Sequence, residues 1–153
     1  MYLLSILSVI LLTVVMCATS SGMDGSYVFR FLDGYTILYL ILFLIPLLIS
    51  GGLLKDFNHA FRLVIGKKEA KSLIELKRAK ESVSLTIKIL LILSVFICAI
   101  QGVFILYNMD DPLMLGPSFS VSMLTLIYGM GITLILLPLQ ARLNMKIQEY
   151  INQ

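Results

Sequence analysis

From Pro112 to Ala141 the chain carries no charge, and that one stretch restricts what it can become. At ~1.5 Å per residue a helix over 118–139 is about 33 Å long, enough to cross the ~30 Å hydrocarbon core of a bilayer. Three more apolar runs precede it, at about 1–19, 35–54 and 89–107. With 59% hydrophobic and 14% charged residues, and a mean hydropathy of +0.97, too little polar surface is left for a soluble domain of this size. The expectation is an all-α membrane protein with four transmembrane helices, forming a single membrane domain over 1–153. The spans lie at about 1–19, 35–54, 89–107 and 117–139, with a cytoplasmic helical loop at 55–82 and a tail at 140–153.

The charges set the topology. Eight of the 12 Lys and Arg residues fall between Lys55 and Lys80, and the tail adds Arg142 and Lys146, whereas the opposite side carries only Arg30. Positive residues stay on the cytoplasmic side, so the middle loop and both termini are expected there. In that loop Phe57, Phe61, Val64 and Ile65 form an apolar stripe, suited to a helix along the membrane surface or against a partner helix. Gly66 ends it. Ser72 and Glu75 have capping-box spacing, and no proline or glycine interrupts 73–100. A second helix therefore starts near Leu73 and runs straight into the third span.

The first run, Met1–Thr19, reads either as a span or as a signal peptide cleaved near Ala18-Thr19-Ser20. It lacks a positive n-region and its apolar core is long, so it is taken as a span. Pro46, Pro117 and Pro138 fall inside apolar runs and predict helix kinks, the second helped by Gly116.

Catalysis finds no support. The nine carboxylates lie outside the spans, the lone His59 sits in the charged loop as a solvated residue, and no metal-ligand cluster, nucleophile–base pair or phosphate loop is present. No enzyme activity, cofactor or metal is expected. Nor is nucleic acid, for there is no basic domain with interleaved aromatics. Cys17 and Cys98 form no CxxC pair and read as small apolar side chains. An ion crossing a membrane protein normally needs an ionisable group at depth. Here it would have to come from another polypeptide.

Two helix faces remain. Ser118, Ser122, Thr125, Gly129 and Thr133 recur at three- or four-residue steps in the fourth span, and Ser94, Cys98 and Gly102 do so in the third. Small faces of this kind either pack helices closely or line a channel between identical subunits. Before the fourth span, Asp110-Asp111-Pro112 is an acidic turn. Asp111 is read first as the cap of the helix that Pro112 opens, and the alternative is that Asp110 and Asp111 draw cations to an outer mouth.

The run NMDDPLMLGPSFSVSMLTLIYGMGITLILLPL resembles the pore-lining segment of the MotA/TolQ/ExbB proton channel family. Asn108, Asp110, Asp111, Pro112, Leu115, Gly116, Pro117, Thr125, Tyr128, Gly129 and Pro138 match in order and spacing. The likeness extends over spans two to four. It implies a homopentameric ring in a bacterial inner membrane, with spans three and four lining a central space around a single-span MotB/ExbD-like partner, in two copies. The partner's aspartate then carries the ion past hydroxyls such as Thr125. The chain departs from the family at Leu126, where a second threonine is usual, at Ile97-Cys98, in lacking a proline over 83–91, and in its short cytoplasmic loop. A non-conducting membrane scaffold of the same architecture is therefore the alternative.

Overall fold

The computed structural model describes residues 2–20, 33–65, 72–107 and 112–152, and all of its regular structure there is helical. The elements are α1 (Tyr2–Ser20), α2 (Gly34–Ser50), α3 (Leu53–Ile65), α4 (Leu73–Tyr107) and α5 (Pro112–Ile151). Two of them, α4 and α5, are long and apolar enough to cross a membrane, and the bent pair α2–α3 makes a third if counted as one span. The protein is thus an all-α chain with the helices of a multi-pass membrane protein.

Helix α4 begins where the Glu75 N–H donates to Ser72 Oγ at 3.3 Å, satisfying a first-turn donor. Its 35 residues span about 52 Å, and the 40 of α5 about 60 Å. Both outrun the ~30 Å of hydrocarbon. The two lie antiparallel, since Thr125 meets Gln101 while Gly129 meets Ser94. Lys77, Arg78, Glu81 and Lys88 on α4 therefore share one end of the hairpin with Arg142, Lys146 and Glu149 on α5.

Two of the expected segments end elsewhere. The 140–153 segment is no separate tail, because α5 continues unbroken to Ile151 and buries Leu143 and Ile147. Pro117 and Pro138, read as kink positions, lie inside α5, and Pro46 lies inside α2. The run 35–54 stops at Ser50, and the chain turns by 102° into α3. Gly52 makes that turn with φ +65, a left-handed conformation that glycine adopts without a Cβ penalty.

After the turn, α3 folds back onto the hairpin. Ala60 and Leu63 pack with Leu76, Ala79 and Val83 of α4 and with Leu139, Leu143 and Ile147 of α5. Phe57 and Phe61 flank this core edge to face, 5.1 Å apart. The apolar stripe of α3 thus meets helices of its own chain. Lys146 Nζ donates to the Leu63 carbonyl at 2.5 Å, placing a cation at the last turn of α3, where carbonyls lack helical partners. Lys146→Met is expected to destabilise α3 by about 1 kcal/mol. Amide exchange should quicken over Ala60–Ile65 and stay unchanged in α4.

Candidate functional site

The two small faces meet each other. Ser94 and Gly129 are both buried where α4 crosses α5, and a Cβ built on Gly129 would strike the Ser94 side chain. One helix supplies the hole and the other the smallest side chain that bears an oxygen. Such steps bring helix backbones close in a membrane, where dispersion outweighs any hydrophobic gain.

The hydroxyls along this seam are mostly satisfied within their own helix. Ser94 Oγ donates to the Leu91 carbonyl and Ser122 Oγ to that of Phe119, both at 2.9 Å. Thr125 differs. It is 0% exposed, and its hydroxyl crosses to Gln101 Oε1 on α4 at 3.1 Å. Thr133 Oγ1 is buried with no hydrogen-bond partner among the described residues.

Of the expected channel-wall residues, Thr125, Ser122, Gly129, Thr133 and Ser94 are closed inside the single chain, whereas Ser118, Cys98 and Gly102 keep part of their surface free. In this conformation the first group holds the hairpin together, and the second lies on its rim. Asp110 and Asp111 fall outside the described residues, as does the capping role read for Asp111.

Several polar residues escaped the sequence reading. Ser82 and Thr86 extend the four-residue series of Ser94, Cys98 and Gly102 toward the charged end. They donate to the Ala79 and Ser82 carbonyls at 2.9 and 2.7 Å. Gln101 was the one carboxamide in the third span, and its spacing alone revealed no partner. Asp33 caps α2, with Oδ1 accepting the Tyr35 N–H at 3.2 Å and Oδ2 the Thr36 hydroxyl at 2.5 Å. Its own N–H donates to Tyr128 Oη at 2.9 Å, pinning the start of α2 to the middle of α5. An Asp before an apolar run is a legible cap signal, but its tyrosine lies 95 residues away.

At the charged end, Lys55, Asp56, His59, Ser72, Glu75 and Arg78 line an open groove of about 400 Å³. His59 is not a freely solvated residue. It is half-buried, with Nε2 2.5 Å from Glu75 Oε1 but poorly aligned for a hydrogen bond. Charges of both signs interleave here, which suits helix packing in water better than capture of an ion of one sign. Among the described residues, no group of His, Cys, Asp and Glu could hold a metal ion.

No family model, curated protein or solved structure matches the chain.

Proposed function

We propose that this chain is the ring-forming membrane subunit of an ion-driven assembly of the MotA/TolQ/ExbB kind. It forms a homopentamer around two copies of a single-span partner whose acid carries the ion. The observation that carries the reading is the α4–α5 hairpin. Its two helices are the longest in the chain and are free of charge over 89–107 and 112–141, the second carries the LGP…T…YG part of the resemblance, and a hydroxyl–carboxamide pair links them. In this reading the chain crosses the inner membrane of a bacterium four times, and the distribution of Lys and Arg favours a cytoplasmic position for both termini and the basic loop. Conduction in this scheme requires the Thr125–Gln101 pair to open toward the ring axis.

A second reading has its own support. Thr125 is committed to Gln101 inside the chain, and Leu126 stands where a second hydroxyl would face the ion. Both favour a non-conducting ring that organises its partner.

Native mass spectrometry of the complex in mild detergent tests the assembly, with five subunits to two partners expected. Ion flux into liposomes holding subunit and partner then separates the readings. A conducting ring loses flux by about tenfold or more in Thr125→Val and keeps it in Thr125→Ser. A ring that passes no ion under any driving force is the scaffold.

A further inference from the structure

We propose that the groove between α3 and α4 holds the headgroup of a zwitterionic phospholipid, one that carries a phosphate and a primary ammonium. The inference rests on the membrane reading above and goes beyond it by assigning the charged end of the hairpin a ligand.

Both helices bring charges of both signs to this groove. Lys55 and Asp56 come from α3, Glu75 and Arg78 from α4, around a space of about 400 Å³. Lys55 and Arg78 are exposed, whereas Asp56 and Glu75 are half-buried. Glu75 is engaged by His59 of the facing helix, which gives Asp56 the role of cation acceptor. A ligand of one sign is repelled by half of these groups. A ligand bearing both charges a few bonds apart finds a partner for each end, and a phosphoethanolamine group is such a ligand. Its ammonium must be primary. Asp56 accepts from an N–H, and a quaternary ammonium has none to give.

The groove also continues toward the bilayer. A second depression of about 270 Å³ shares Asp56, Ile74 and Arg78 with the first and extends to Leu53, Glu81 and Ser82. That level is where two spans end in the proposed placement. Leu53 and Leu54 close the run 35–54, and Leu139, the last residue of 117–139, packs with Val83. The headgroup layer begins there and is about 5–8 Å thick on each side of the hydrocarbon. Arg78 lies ~7.5 Å along α4 beyond Val83, within reach of that layer. Ile74 lines both depressions and is 66% exposed. It gives an apolar wall for the two methylenes between ammonium and phosphate.

Native mass spectrometry tests the site on the full chain in mild detergent, supplied with equal amounts of phosphatidylethanolamine, phosphatidylcholine and phosphatidylglycerol. The ethanolamine lipid should be retained over each of the others by about fivefold. That preference is read on the wild-type chain and needs no variant. Arg78→Gln should lower retention of the ethanolamine and glycerol lipids alike, since both present a phosphate. Asp56→Asn should lower retention of the ethanolamine lipid alone. Lys88→Gln, at an exposed position outside the groove, should change neither. Equal retention of the three lipids, preference for the glycerol lipid, or equal loss in Lys88→Gln and Arg78→Gln overturns the headgroup site and leaves the membrane reading standing. So does displacement of the lipid by an equal amount of free phosphoethanolamine, which marks a site for a soluble ligand. A chain that fails to insert into vesicles of the same three lipids overturns both.

Discussion

Gly129→Val separates the two long helices of this protein, and it is expected to lower the stability of the hairpin by more than about 3 kcal/mol. The reason lies in one crossing. Already the first added carbon, the Cβ of Gly129→Ala, would sit 2.6 Å from Ser94 Oγ, closer still to Ser94 Cβ, and 3.5 Å from the Leu90 carbonyl. The hydroxyl can rotate away. The Ser94 Cβ cannot, since it is fixed to the backbone of α4, so the helices themselves must part. Gly129→Ala should therefore destabilise by about 1–3 kcal/mol, set against a gain of about 1 kcal/mol in helix propensity. The pair of rescue variants discriminates. Ser94→Gly removes the offending carbon and should restore most of the loss in Gly129→Ala, whereas Ser94→Ala keeps it and should restore little. Detergent unfolding followed by circular dichroism reads all four. Equal rescue by Ser94→Ala and Ser94→Gly would show that the hydroxyl, not the carbon, sets the distance.

That crossing marks the boundary of what the amino-acid sequence could disclose. The start of α4 was legible because Ser72 and Glu75 satisfy a local rule, and α4 ran on because nothing in 73–100 breaks a helix. The small faces were legible as faces. Which surface they meet was not, because a periodicity of 3.6 gives direction around one axis and says nothing of the neighbour. Ser94 and Gly129 answer each other within one chain, an arrangement that spacing alone cannot tell from two faces turned to a common lumen. That 140–151 continues α5 was not legible for a different reason. Arg142, Lys146 and Glu149 mark where hydrocarbon gives way to water, not where a helix stops. Leu136, Leu139, Leu143 and Ile147 continue the same apolar stripe past them. The turn after Ser50 had its signal in Gly51-Gly52, overshadowed by the hydrophobic residues on either side.

The two ends of the hairpin should also respond differently to the same chemical change. At the charged end of the hairpin, which the proposed membrane placement leaves in water, Leu143, 0% exposed, closes a core with Leu63, Leu76 and Val83. Water is the alternative environment there, so burial carries the full hydrophobic gain in addition to packing. Leu143→Ala is expected to destabilise by about 2–5 kcal/mol. Leu93 is buried as well, against Leu40 and Ile97, but the proposed membrane placement puts it at a level where the alternative is lipid. An alkane leaving a leucine contact for an acyl chain loses only the quality of its packing. Leu93→Ala should therefore cost clearly less than Leu143→Ala, although both remove the same three carbons. Ile92→Ala, on a side chain 71% exposed, should cost least. Equilibrium unfolding of the three variants in bicelles gives the order directly. If Leu93→Ala equals or exceeds Leu143→Ala, then water reaches the level of Leu93, and α4 does not cross a membrane where its apolar length implies.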